Sequence, residues 1–431
     1  MIFTFLLDLG ITSFNNREIA RHNHLISRYF SNIIGIKMTL GFFYAIICIC
    51  GSLFMGYSWA QISLLIILIF NQFLSSFILY LRSNINGLLM FISDSILSVL
   101  DKALMILFLS ILLWTNITGG IFKIEWFVYS QTAAYMITAI TALVLVIKNC
   151  NYFSPRFDIK YLILILRKSL PFSVLALLMM LYNRIEPVLL ERLLPDGKVQ
   201  AGIYAQGFRI LEVLSNFAYL FPVLLLPIFS KMLKTRENMN ELVSMAGSIM
   251  ILPSIALATA CSFYGKEIMN SLYHQQESGA IFSVLIWGFA GISTTYLYGT
   301  LLTANGNLKQ LNIMAASAVV LNICLNIYLI PRFKSQGAAY SSFITQCLTG
   351  AIQMVMAYKI LMLQKDVKRI LKVILWFVIF ISSALLVKST FNNWIFGLIS
   401  IPVIGLMLIF ILQLIKTKEI VMLIFSVKTN K

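Results

Sequence analysis

Ionisable side chains stand in this chain where apolar ones are expected. Leu170 to Leu190 is an apolar run long enough to cross a bilayer, yet it carries Arg184 and Glu186 directly before Pro187. Gly202 to Phe229 is a second such run, with Arg209 and Glu212 inside it. A third, over 88–114, holds Asp94 and Asp101, which share a face seven residues apart, and Lys102 beside them. Charge at that depth is costly and normally faces a bundle interior or a watery cavity. On a helical wheel Gln206, Arg209, Glu212, Asn216 and Tyr219 fall on one side, a polar stripe on an otherwise oily helix. Arg209 and Glu212, three apart, can pair along that stripe, whereas Arg184 and Glu186 point about 200° apart and meet different neighbours. The cations offer donors to an anion. The carboxylates hold those cations or take up a proton or sodium ion. A wet stripe of this kind lines a cavity, which is the chemistry of transport.

The elements that carry these groups follow from composition. Hydrophobic residues make up 60% of the 431 and charged residues 11%, whereas soluble domains are about a quarter charged. The chain is therefore predicted to be an all-α integral membrane protein. The net charge of +17 does not point to nucleic acid, because the basic residues cluster in alternate short loops between spans. The six cysteines form no CxxC pair and mostly sit in apolar runs, where they read as small buried hydrophobes. Three histidines have no metal-binding spacing. No nucleophile elbow, phosphate loop or zinc-protease motif occurs, so neither a metal nor a cofactor is expected, and covalent catalysis is not indicated. Met1 to Gly10 lacks the pattern of a cleaved signal peptide.

In chain order, the apolar fragment Met1 to Leu7 ends at Asp8-Leu9-Gly10 and is followed by a basic segment with Arg17, Arg21 and Arg28. About twelve complete spans follow, over 33–55, 60–81, 88–114, 125–147, 169–190, 203–229, 243–263, 280–303, 311–330, 337–358, 372–388 and 394–415. Twenty-three Lys and Arg fall in one alternate set of loops and seven in the other, with Lys102, Arg184 and Arg209 inside spans. The richer set, which includes Lys37, Arg82 and the C-terminal lysines, is predicted to face the cytoplasm. The basic connection from Lys148 to Lys168 divides the helices, giving 1–150 as a first bundle and 151–363 as a six-helix second one. Residues 364–431 add a helix pair and a tail.

Four stretches resemble the polysaccharide (O-antigen type) flippases of the multidrug/oligosaccharidyl-lipid/polysaccharide exporter superfamily. They are DLGITSFNNREIAR (Asp8 to Arg21), SLPFSVLALLMMLYNRIEPVLL (Ser169 to Leu190), AGIYAQGFRILEV (Ala201 to Val213) with FPVLLLPIFSK after it, and Leu301 to Ser342. In the second stretch the family commonly has an Asp near the place of Glu186. The resemblance implies two six-helix lobes around a central cavity, often with two added helices. This chain departs from that plan at its start. Matching LLDLGITSFNNREIAR to LLLPIFSKMLKTRE sets Met1 opposite roughly residue 217, so the first lobe is read as lacking about one and a half helices, through a mis-assigned start or a truncated gene.

The resemblance also implies a substrate. A bacterial inner-membrane flippase would carry an undecaprenyl-pyrophosphate-linked oligosaccharide from the cytoplasmic to the periplasmic face for surface polysaccharide synthesis. Membrane lipids would surround it, and a polysaccharide polymerase is an expected partner. In that reading Arg209, Arg184 and Lys102 supply positive potential to the pyrophosphate, while Glu212, Glu186, Asp94 and Asp101 tune those cations or bind a coupling proton or sodium ion. The hydroxyls and amides of Ser293 to Thr303, Thr345, Thr349 and Gln353 can meet sugars or bond between helices. Asn322 and Asn326, one turn apart, and Gly337-Ala338-Ala339 read first as helix packing, and Asn305-Gly306-Asn307 as a turn. The rival transport reading is an ion-coupled multidrug extruder, which calls for a net acidic cavity. A membrane glycan polymerase or ligase calls for a long outer loop, and no loop here exceeds about twenty residues. Reporter tags in the Lys148–Lys168 connection are expected to read cytoplasm and a tag at Gly197 the opposite side. A periplasmic signal from 148–168 would overturn the order of the spans.

Overall fold

The computed structural model describes residues 6–23, 26–54, 58–114, 124–150, 159–364, 366–391 and 393–415. The apolar fragment Met1 to Phe5, most of the loop around Arg156 and the tail beyond Ile415 lie outside the described residues. The chain divides into two compact units, Met1–Ala176 and Leu177–Lys431.

The first unit contains α1 (Ile11–Arg21), α2 (Ile26–Phe54), α3 (Trp59–Gly87), α4 (Phe91–Trp114), α5 (Ile124–Lys148) and most of α6 (Ile159–Arg184). The basic segment expected after Asp8-Leu9-Gly10 is itself a helix. Gly10 caps α1 with φ 76, and a Cβ there would run into the backbone of Ser169 and Ser173 on α6. Asp8 accepts from the Thr12 amide at 3.2 Å and from its hydroxyl, which closes the first turn. Ile11, Phe14, Asn15 and Ile19 recur at helical spacing and are buried. Asn15 donates to Ser83 of α3 at 2.9 Å.

Lys37, counted with the cytoplasmic loops from its sequence position, lies inside this unit at 1% exposure. Its ammonium donates to Asp8 Oδ1 at 2.7 Å, the Leu7 carbonyl at 2.9 Å and Ser76 Oγ at 3.2 Å. Those three bonds match its three N–H groups, so one buried cation fastens the start of the chain to α2 and α3.

The second unit contains α7 (Glu186–Leu193), α8 (Gly197–Ala218), α9 (Leu220–Thr235), α10 (Asn240–Phe263), α11 (Gly265–Tyr273), α12 (Glu277–Leu285), α13 (Gly288–Asn305), α14 (Leu308–Ile360), α15 (Val367–Thr390) and α16 (Trp394–Ile411). Three expected spans are interrupted, 280–303 at Ile286 and Trp287 between α12 and α13, and proline explains the other two. Pro187 has no N–H to return to the Asn183 carbonyl, nor Pro222 to that of Ala218, so α6 yields to α7 at Ile185 and α8 to α9 at Tyr219. Gly306, at φ 96, makes the expected turn between α13 and α14. The spans 311–330 and 337–358 form the two arms of α14, separated by non-helical Lys334 (φ 51, ψ −133) shortly after Pro331. Gly337 backs directly onto the Leu329 carbonyl, which leaves no room for a Cβ.

The added pair α15–α16 packs on α10 inside this unit. Trp376 is fully buried, stacks on Phe380 at 5.0 Å and donates to the Gly405 carbonyl at 3.0 Å. Arg369 reaches Ser248 Oγ at 2.7 Å, Leu414 O at 3.2 Å and the Ser244 carbonyl.

Eleven helical stretches among the described residues are long and apolar enough to cross a membrane, with the two arms of α14 taken as one. Many large apolar side chains point outward along them, such as Phe42, Ile106, Val320 and Leu386. Lipid is the solvent that such a surface fits, and the protein is a multi-pass membrane protein. Of the six cysteines only Cys261 is buried; Cys50 and Cys324 belong to that outward surface.

Removing one partner of the Asp8–Lys37 pair is expected to destabilise the protein strongly. Asp8→Ala should cost about 3–5 kcal/mol by leaving a buried ammonium without its counter-charge, and Asp8→Ala/Lys37→Met should recover most of that loss. Thermal unfolding of detergent-purified protein checks both. Equal melting temperatures for Asp8→Ala and wild type would sink the argument.

Candidate functional site

The break at Ile185 sorts two neighbouring charges into different surroundings. Arg184 ends α6 with its side chain 57% exposed, while Glu186 begins α7 fully buried. Both stand beside Pro187, which removes the bond that would have carried one regular helix through them. The opposed directions expected from the helical wheel therefore reach two separate polar groups.

Around Glu186 the partners are neutral. Asn322, on the first arm of α14, donates to Glu186 Oε1 at 3.1 Å and to Thr345 Oγ1 on the second arm at 3.2 Å. Asn326 donates back to the Asn322 carbonyl at 2.9 Å and to its side-chain oxygen at 3.0 Å. Ser341 donates to the Asn322 carbonyl at 3.2 Å, across the bend. Asn322 and Asn326 thus do the interhelical bonding expected of them, and the unexpected part is their carboxylate partner. Glu186 makes no ion pair among the described residues, and Glu186 Oε2 and Asn326 Oδ1 are buried without a hydrogen-bond partner. Unpartnered hard oxygens of this kind suit a proton or a small cation.

The second group is an open pocket of about 610 Å³, mouth included, lined wholly by residues of the second unit. Its ion pair joins Arg184 to Glu212 of α8. The expected pair was Arg209 with Glu212, and the structure places Arg209 otherwise. The Glu212 carboxylate meets a guanidinium from the neighbouring helix, and Arg209, one turn earlier, is exposed with no ion pair among the described residues. Asn183 accepts from Gln346 on the second arm of α14. Tyr182, Tyr296 and Phe208 form the apolar wall, and Tyr219 meets Tyr296 edge-on at 5.7 Å and 67°. Asn216 of the polar stripe lines the mouth, and Thr295 Oγ1 is buried there without a partner.

The acidic candidates of the first unit have partners of their own. Asp94 is held by Arg82 of α3 in a two-pronged contact, Nε at 2.6 Å and Nη2 at 3.1 Å. Arg82, expected among the cytoplasmic loop cations, instead lies within α3 and pairs with α4. Asp101 and Lys102 meet at 3.4 Å along their own helix, with the Lys102 side chain 72% exposed. Of the seven candidates, then, only Arg184 and Glu212 converge on one pocket. Asn183 and Gln346 were missed in the sequence. They lie far apart in the chain, and the one local hint was the polar run Asn183-Arg184 at the end of an oily helix.

A family model described as "Polysaccharide biosynthesis protein" matches residues 1–233. No curated protein matches the chain. Among solved structures, an outward-facing multidrug resistance MATE family transporter of the MOP superfamily superposes with TM-score 0.67 at 13% identity, over 83% of this chain and 84% of that one. The Vibrio cholerae MATE transporter VcmN in its bent form gives TM-score 0.61 at 14% identity, over 83% and 84%. The lipid II flippase MurJ, inward closed, gives 0.58 at 16% identity, over 98% and 93%. At such identities the likeness is one of fold.

The matched stretch contains Asn183, Arg184, Glu186 and Glu212, while Asn322 and Gln346, the partners of Glu186 and Asn183, lie beyond it. Asn322→Ala should therefore act through Glu186. It is expected to lower stability by about 2–3 kcal/mol, because a buried carboxylate loses a donor, and Glu186→Gln in the same background should return more than half. Melting temperatures of the single and double variants decide the point. An additive double variant would show that the two side chains act independently.

Proposed function

The chain belongs to the polysaccharide biosynthesis protein family, whose model matches 233 of its 431 residues, and from that premise we propose that it is a flippase for lipid-linked oligosaccharides. The substrate is an undecaprenyl-pyrophosphate-linked repeat unit, moved from the cytoplasmic to the periplasmic face of a bacterial inner membrane for surface polysaccharide synthesis. The observation that carries this reading is the polar pocket around Arg184 and Glu212, cut into an apolar membrane bundle of this family. The glycan needs a hydrated, hydrogen-bonding route, while its lipid tail stays in the bilayer. Residues 1–150 and 151–363 act as the rocking lobes of an alternating-access carrier and 364–431 as an added helix pair, with the C-terminus in the cytoplasm. No covalent step is needed. A polymerase would take up the delivered unit.

Arg209 serves the pyrophosphate in this scheme. It is exposed on α8 and has no carboxylate to compete with an anion, and its planar donor fork suits phosphate better than an ammonium does. Lys102 can add positive potential. Glu186 is the coupling-ion group, supported by its unpartnered oxygen among neutral amides. An ion-coupled multidrug extruder is the second reading, favoured by the MATE neighbours. The pocket's two charges cancel, so Arg209 is what tilts the balance toward an anionic substrate.

Arg209→Ala, at normal membrane abundance, should greatly lower surface glycan and leave untranslocated lipid-linked units to accumulate, with Arg209→Lys rescuing in part. Abundant, fully active Arg209→Ala protein would remove the residue from the mechanism. In vesicles, Glu186→Gln should abolish the dependence of transport on a sodium or proton gradient. Gradient-driven export of organic cations by wild type, without glycolipid transport, would instead select the extruder.

A further inference from the structure

We propose that the Arg184–Glu212 pocket binds an uncharged sugar ring of the lipid-linked glycan rather than its pyrophosphate. This deepens the flippase reading and rests on it. Electrostatics gives the first argument. Arg184 is already in contact with Glu212, and every other lining residue is neutral. A pyrophosphate entering here would have to displace the carboxylate and then remain beside it, like charge against like charge. A neutral ligand meets no such opposition, and the ion pair then offers it donors and an acceptor together.

The polar groups match hydroxyls, each of which both donates and accepts. Glu212 accepts and Arg184 donates. Asn183 is bound through its oxygen and Gln346 through its nitrogen, which leaves the Asn183 amide N–H groups and the Gln346 carbonyl for a ligand. Asn216 at the mouth has no partner among the described residues, and Thr295 Oγ1 is buried without one at 3% exposure. A buried hydroxyl left unbonded is costly, so this one marks a place where an incoming group is wanted.

The apolar wall completes the match. One face of a pyranose presents C–H groups, and these pack on the electron-rich face of an aromatic ring. Tyr296 is half-buried and braced by Tyr219, so its ring is set before a ligand arrives, and buried Tyr182 backs the wall behind it.

The test uses the full chain in lipid nanodiscs and two probes, undecaprenyl pyrophosphate and undecaprenyl-pyrophosphoryl-N-acetylglucosamine. Wild type is expected to bind the glycosylated probe about tenfold more tightly. Glu212→Gln and Asn216→Ala should each bring that ratio close to one, chiefly by weakening the glycosylated probe. Arg209→Ala should weaken both probes alike. Asn216 is exposed, so its variant remains informative even if Glu212→Gln folds poorly. Equal wild-type affinity for the two probes, with Arg184→Ala weakening both, would overturn the sugar site and leave the flippase standing. Failure of both probes to bind wild type would overturn the flippase reading and this site with it.

Discussion

A charge or amide carried into an apolar bundle has no water to fall back on, and this constraint organises the structure. Each buried polar group has to find its complement on another helix, so polar residues decide which helices meet and in what register. Lys37 spends its three N–H groups on Asp8, Leu7 and Ser76, joining three parts of the first unit. Arg82 and Asp94 fasten α3 to α4. In the second unit Asn322 ties α7 to both arms of α14, and Arg369 anchors the added helix pair to α10. Leu-on-Leu contacts are nearly as good with lipid as with protein, so they could not specify these pairings alone.

The same constraint explains which features were legible in the sequence. Span positions depend on local hydropathy, and the twelve expected crossings correspond to the eleven apolar stretches with α14 counted as two arms. The turn at Gly306 was visible for the same reason, since it depends on a few consecutive residues. Partner choice is non-local. Arg209 and Glu212 satisfied the helix-spacing rule, yet Arg184, 28 positions away from Glu212, takes the carboxylate. Lys37 looked like a loop cation because its complement, Asp8, lies 29 positions away across a stretch that hydropathy does not pair. The stripe on α8 was correctly polar, and what it touches depended on residues as distant as Gln346. The helical nature of α1 was hidden by its charge and length.

Proline contributes a second, local layer. Pro187 and Pro222 each remove a backbone bond, and the chain exploits the two resulting breaks differently. At Ile185 the break separates an exposed Arg184 from a buried Glu186 within three residues. At Tyr219 the break ends the polar stripe, and beyond it Leu220 to Thr235 runs as an apolar helix with basic residues only at its far end. Charge placement and helix interruption therefore coincide, as expected where backbone irregularity serves a cavity.

The arrangement on α8 also bears on how a mixed ligand would be read. Arg209 precedes Glu212 by three residues, which is about 4.5 Å of helix rise at 1.5 Å per residue. A neutral, hydrogen-bonding pocket and an unneutralised cation thus occur on adjacent turns of one element. A lipid-linked glycan has the same sequence of chemistries, a sugar joined directly to a pyrophosphate. Had Arg209 taken Glu212, as helix spacing alone suggests, Arg184 would stand as an unopposed cation in the pocket and the turn of α8 that carries Arg209 and Glu212 would be neutral. Under the proposed assignment, the sugar and phosphate sites would then exchange places. The choice of Arg184 as the carboxylate's partner is what assigns neutrality to the pocket and charge to its neighbour.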